Sequence, residues 1–317
     1  MGIPQPRNAK GDVRSIGVEL EFGGMTERAA ADCVAGVFGG QVEKAGPHLF
    51  KIDTAEHGAF EVELDSAFAK QDDLSDLTET ALDLSRGLIP VEIVAPPIPI
   101  TALTALDTLC EALAAKGAEG TGGGVLQGFG MHLNVEVHGM TGDDITPILR
   151  AFALIEDWVR GIDPIDPSRR ALPFVDPFPR SLVDALAKTP SLTLDDLTAL
   201  YLTHDPSRNR ALDMLPILAL HDEDQVRAAM PEEKIAARPT YHYRLPDCRI
   251  GEPGWTIAGE VAKWAVIETV AGNGPALDAL AKGWTAHRDA LTTIRPDWAK
   301  DVQTILDDHD INTGAFQ

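Results

Sequence analysis

The chain has 317 residues, of which 44% are hydrophobic and 24% charged, an ordinary globular composition with material for a sizeable core. Its 27 Lys and Arg stand against 49 Asp and Glu, a formal net charge of −22. So acidic a surface repels phosphate backbones and anionic membranes, which argues against nucleic-acid binding as the main task. It still allows a nucleotide in one local basic pocket.

The first residues, MGIPQPRNAKGD, are polar and lack the apolar core of a secretory leader. No apolar run reaches the roughly 20 residues of a membrane helix. Cys33, Cys110 and Cys248 are widely spaced and form no CxxC pair, so neither a zinc ribbon nor a disulfide framework is expected. The expectation is a cytoplasmic protein with reduced thiols.

Residues 16–22 read as a strand closed by Gly23-Gly24. Residues 26–38 carry Ala, Val and Phe at helical spacing, with Thr26 as a cap and Gly39-Gly40 as a stop. Residues 48–53 and 60–65 read as strands, joined as a hairpin around His57-Gly58. Residues 88–94 form a further strand, ended by Pro96-Pro97, and a long helix covers 101–116. A glycine-rich loop at 120–124 leads into the longest strand candidate, 129–138. The pattern then turns helical from 144 to 160. Residues 161–180 hold five prolines and three Asp-Pro dipeptides, a density that predicts an ordered loop or lid without a helix. Helices resume from 182, a late strand covers 240–245, and helices over 255–270, 276–292 and 297–309 close the chain.

Strands first and helices later predict an α+β fold, an antiparallel sheet backed by helices. The late strand is expected to return to the early sheet, giving one domain over 1–317. Within it, 144–239 is a mainly helical insertion, and 240–317 supplies the returning strand and the terminal helices.

Five short segments carry chemistry. In GVELEF (17–22), Glu19 and Glu21 point to one strand face, about 6.5–7 Å apart, while Leu20 and Phe22 take the other. In GAFEVELDS (58–66), Glu61, Glu63 and Asp65 share a face. PVEIVAPP (90–97) places Glu92 between strand formers. In GMHLNVEVH (130–138), His132, Asn134, Glu136 and His138 alternate with Leu133, Val135 and Val137. In YHYRLPD (241–247), His242 and Arg244 share the face opposite Tyr241 and Tyr243. Taken singly, each fits an ordinary solvated sheet face or an Arg–Glu cross-strand pair. Gathered on one face, so many carboxylates would repel one another unless cations sat among them. Carboxylates suit Mg²⁺ or Mn²⁺, and arginine clamps phosphate with its planar fork. Arg208 and Arg210, flanking Asn209, are further candidates for an anion. Arg169, Arg170 and Arg180, in the proline-rich segment, read as surface residues. HExxH, GxxxxGK[ST] and GxSxG are absent, and GGGVLQGFG lacks the context of a dinucleotide site.

The order GVELEF, acidic strand, VEIVAPP, G-x-H-x-N and R-LPD before an apolar helix resembles the amidoligases. These are similar to glutamate–cysteine ligases and glutamine synthetases, the carboxylate–amine ligases. The resemblance spans about residues 16–270. It implies a curved antiparallel sheet, a glutamine synthetase-like half-barrel with helices on its outer face, holding ATP and Mg²⁺, with Mn²⁺ as the alternative ion. It implies metal ligation by Glu19, Glu21, Glu92 and His132, and phosphate stabilisation by Arg244. Cofactor contacts fall to His132, Asn134, Arg208, Arg210 and His242. One of Glu61 and Glu63 fills a further acidic position, and the sequence does not choose between them. His242 departs from the pattern, because the synthetases carry glutamate there. The implied reaction is ATP-dependent amide formation through an acyl phosphate, on small-molecule or peptide carboxylates and amines. The competing readings are a metal-dependent hydrolase or phosphatase on the same face, and a binding protein that kept the fold.

Overall fold

The computed structural model describes residues 2–64, 89–122, 128–171, 173–290 and 293–316. Asp65 and residues 123 and 124 of the 120–124 loop lie outside them. The centre of the fold is β1 (Ser15–Phe22). Its period-2 pattern buries Ile16, Val18, Leu20 and Phe22 at 0, 0, 1 and 0% exposure, leaving Glu19 and Glu21 on the other face. Around it run β2 (Val42–Lys44), β3 (Leu49–Thr54), β4 (Gly58–Leu64), β5 (Val91–Val94), β6 (Ile98–Pro99), β7 (Met131–Glu136), β8 (Leu212–Asp213) and β9 (Thr240–Tyr243). The strand order is β2-β3-β4-β5-β1-β7-β9-β8, with β6 on β1. Every ladder is antiparallel, and the sheet does not close into a barrel.

The late strand returns as expected, with β9 on β7. The hairpin at His57-Gly58 is present as β3–β4. The two- and three-residue strands β2, β6 and β8 are too short to show a period and escape sequence reading.

Eleven helices in the described residues pack around the sheet. Helix α1 (Glu27–Phe38) is capped by Thr26, whose hydroxyl accepts from the Ala29 N–H. It stops at Gly39 and Gly40, both at positive φ (76° and 96°), where a side chain would be strained. Its Phe38 stacks on Phe60 of β4 with ring centroids 4.8 Å apart. Helix α2 (Thr104–Ala115) follows β6, and α3 (Gly142–Ile162) follows β7. A capping box between Thr141 and Asp144 starts α3.

The proline-rich segment corrects one expectation, because it contains a turn of helix, α4 (Pro167–Arg170). Pro167 sits at the first helical turn, where its missing N–H costs nothing, and the Asp166 carboxylate accepts from the Ser168 N–H. Arg169 is a second correction. It is buried, and its guanidinium donates to the carbonyls of Arg244, Leu245 and Pro246 and to Asp247 Oδ1 at 2.5–3.0 Å. The segment is thereby tied to the chain that leaves β9.

Helices α5 (Arg180–Lys188), α6 (Leu194–His204), α7 (Leu215–His221) and α8 (Glu223–Ala229) lead back to β9. Helix α9 (Ile257–Gly272) then covers the apolar face of β9, with Trp264 5.4 Å from Tyr241 and 5.3 Å from Tyr243 between centroids. Burial of each such ring contributes about 1.5–3 kcal/mol. Phe152 of α3 meets Tyr243 edge-on at 5.7 Å. Helices α10 (Gly274–Asp289) and α11 (Arg295–Asp308) complete the chain.

A buried ion pair fastens α9 to the start of β1. The Arg14 guanidinium donates to both Glu268 oxygens at 2.8 and 3.0 Å, and the Trp264 indole donates to Glu268 Oε1 at 2.7 Å. Among the described residues, no helix is long and apolar enough to cross a membrane.

Candidate active site

The face of the sheet opposite the helix-covered core carries the acidic and basic residues of the sequence motifs. Register decides which of them meet. Glu21 of β1 stands directly opposite Glu92 of β5, and Glu92 directly opposite Glu63 of β4. Three carboxylates thus form one row across three strands. In the neighbouring row, Glu19 faces His132 of β7. In a third, Asn134 of β7 faces His242 of β9, which faces Asp213 of β8.

The His132 ring bridges the first two rows. Its Nδ1 lies 2.7 Å from Glu19 Oε2 and its Nε2 3.5 Å from Glu21 Oε1. A carboxylate oxygen only accepts, so Nδ1 carries a proton, and in a neutral ring the Nε2 lone pair faces Glu21. The other Glu19 oxygen accepts from the Asn134 amide at 2.8 Å. Burial opposes ionisation of Glu19, yet the hydrogen bonds from the His132 ring and the Asn134 amide hold the carboxyl well below its usual range. Glu21 is only 8% exposed, and its Oε2 accepts from the Gly130 N–H at 2.7 Å. Gly130 is required there, since a Cβ would lie 2.9 Å from the buried Arg169 guanidinium.

Among the described residues, two groups have donor atoms within 4.8 Å of one another, as a metal ion requires. These are Glu21, Glu92 and His132, and Glu19, His132 and His242. His132 belongs to both.

Glu61 and Glu63 part company here. Glu61 pairs with Lys51 of β3 at 2.6 Å on the open side of the sheet, whereas Glu63 adjoins Glu92. Burial, and then the Glu61 charge, raise the Glu63 carboxyl above its usual value.

The basic side is built on β8 and β9. Arg244 is 9% exposed and donates to Asp213 Oδ2 at 3.1 Å. Asp213 Oδ1 accepts from the Leu215 N–H at 2.9 Å. Burial raises the Asp213 carboxyl, against the pull of Arg244 and that N–H. Arg208 approaches the same carboxylate, with its Nε 4.0 Å from Oδ2. His242 is 5% exposed, and burial, then Arg244, drive its ring well below the usual imidazole value, so it is uncharged.

Arg210 is not brought to this face. It grips Asp205 at 2.6–2.8 Å and the Pro177 carbonyl at 3.2 Å, a structural role in the helical insertion. Two residues were missed. Asp213 lies in a strand of two residues with no readable period. Arg238 donates from Nη2 to Asn134 Oδ1 at 2.6 Å and to His242 Nδ1 at 2.8 Å. Its only signal was an even spacing from His242 and Arg244, although it precedes β9.

The family model "Putative amidoligase enzyme" matches residues 12–266, most of the chain and every strand of the face just described. No curated protein matches the sequence.

Proposed function

The chain belongs to the amidoligase family, and on that premise we propose that it joins a carboxylate to an amine with conversion of ATP to ADP, through an acyl phosphate. One observation carries the reading: Glu63, Glu92 and Glu21 stand side by side on adjacent strands, with His132 on the strand beyond and Arg244 directly after β9. Like charges directly opposite one another on a sheet repel, and hard divalent cations suit such oxygen donors. Glu21, Glu92 and the Nε2 of His132 would hold Mg²⁺ or Mn²⁺. Bound there, the ion would neutralise charge on phosphoryl oxygens.

The chain's own residues supply position and charge, which is most of what phosphoryl transfer needs. Arg244, braced by Asp213, meets the charge on the transferring phosphoryl group. Glu63, its carboxyl raised by burial, is the carboxylate best matched to take the proton that the ammonium sheds to become the attacking amine. Glu61, engaged by Lys51, is left outside this role.

The test is ADP release with Mg²⁺ against panels of carboxylates and amines, where turnover requires all three. Glu21→Gln and Arg244→Ala should each lower the rate by about 100-fold or more while circular dichroism stays unchanged. Equal turnover in both variants overturns the reading. ADP release that needs no amine assigns the face to hydrolysis instead.

A further inference from the structure

Among the described residues, five buried side-chain polar atoms have no hydrogen-bond partner. Three of them are nitrogens of Arg208, His242 and Arg244. All three residues surround Asp213: Arg244 at 3.1 Å, Arg208 at 4.0 Å, and His242 opposite it in register. A buried N–H without an acceptor is costly, so three on the residues around one carboxylate point to an acceptor that arrives from outside.

The state of His242 follows from its neighbour. Arg238 Nη2 lies 2.8 Å from His242 Nδ1, and a guanidinium only donates. Nδ1 therefore accepts, and the ring proton sits on Nε2, the atom that lacks a partner. A nitrogen that carries a proton cannot ligate a metal, and the other is occupied by Arg238. The Glu19–His132–His242 group is thus incomplete as a metal site in this arrangement, whereas the Glu21–Glu92–His132 group is not affected.

We propose that Arg208, His242 and Arg244 form an oxyanion pocket beside the metal-binding row, with His242 as an Nε2–H donor rather than a metal ligand and Arg238 as the residue that places its proton. The pocket takes a phosphoryl group. It rests on the ligase reading only for the origin of that group, a nucleotide polyphosphate. A neutral histidine at this position adds an N–H donor and no negative charge beside the acidic row. Arg238 touches no ligand in this scheme and is a positioning residue.

The test uses the intact protein and three readouts. Nitrogen-15 NMR of the histidine rings should show His242 protonated at Nε2 in the wild type. Arg238→Met should shift the ring toward a tautomer mixture, and Arg238→Lys, which keeps a donor, should restore it in part. Calorimetry with inorganic tripolyphosphate and Mg²⁺ should show His242→Gln, which retains an N–H near that position, within about threefold of wild type. His242→Glu should bind it at least about tenfold more weakly. Mn²⁺ affinity should be unchanged in His242→Gln.

Three results overturn the assignment: a proton on Nδ1, a wild type that binds no tripolyphosphate, or loss of Mn²⁺ affinity in His242→Gln with unchanged tripolyphosphate binding. Expected results in all three readouts, from a protein that never releases ADP, would sink the ligase reading and leave the pocket standing. ADP release by a protein whose His242 carries its proton on Nδ1 would do the reverse.

Discussion

His132 Nδ1 donates to Glu19 Oε2 at 2.7 Å, and this one hydrogen bond turns the other ring nitrogen toward Glu21. Carboxylates that orient a ligating histidine in this way fix its tautomer and its aim, and losing one costs about 10–100-fold in metal affinity. Glu19→Ala should therefore weaken Mn²⁺ binding by that factor, measured by electron paramagnetic resonance, even though the Glu21–Glu92–His132 group is untouched. An unchanged affinity would show that Glu19 does not position the ring.

The row Glu63–Glu92–Glu21 should make stability depend on divalent ions. Opposed like charges cost about 0.2–1 kcal/mol per pair, and an ion that binds only the folded state adds stability by mass action. Mg²⁺ should raise the melting temperature and a chelator should reverse the rise. Glu63→Gln should raise the melting temperature in chelator while shrinking the Mg²⁺ increment. A melting temperature indifferent to Mg²⁺ in the wild type would leave the row without an ion.

Glu260 on α9 gives a pH dependence of known sign. Burial raises its carboxyl above the usual value, against Lys263 at 2.9 Å. The native state thus holds this proton more tightly than the unfolded chain does. Between the unfolded value and the raised one, stability falls as pH rises. Thermal unfolding followed from about pH 4 upward should show that decline, and Glu260→Gln should flatten it. The slope is the readout, because the substitution also removes the Lys263 pair and shifts the whole curve.

The Arg14–Glu268 pair is buried on both sides, at 2 and 4% side-chain exposure. Removing one partner strands the other charge, which costs about 3–5 kcal/mol. Glu268→Leu should lose about that much in denaturant unfolding. The double variant Arg14→Met with Glu268→Leu should recover much of the loss, since no charge is then left buried. Additive losses would mean that the pair is not coupled.

The sequence revealed the faces better than it revealed the neighbours. Alternation in GVELEF and MHLNVE already placed Glu19, Glu21, His132 and Asn134, because each residue's side is set by its own strand. Which carboxylate meets which is set by register between segments, and no period within one segment records that. Glu61 and Glu63 shared a face on paper, and only pairing gave one to Lys51 and the other to Glu92. Arg169 and Arg210 misled in opposite directions for one reason. A charged residue in a proline-rich or helical stretch looks solvated until carbonyls or a carboxylate from distant chain close over it, as the turn after β9 does over Arg169 and Asp205 does over Arg210.

The strand order has a kinetic consequence. Side chains numbered from 19 to 244 meet on one surface because β1 is wedged between β5 and β7, and β9 is added outside them. Contacts so distant along the chain form slowly, since long loops must close before they are rewarded. Ligand affinity should therefore be a late event in refolding, trailing the local helices. Synthesis interrupted before β9 would yield chains rich in helix and strand yet unable to grip a phosphate.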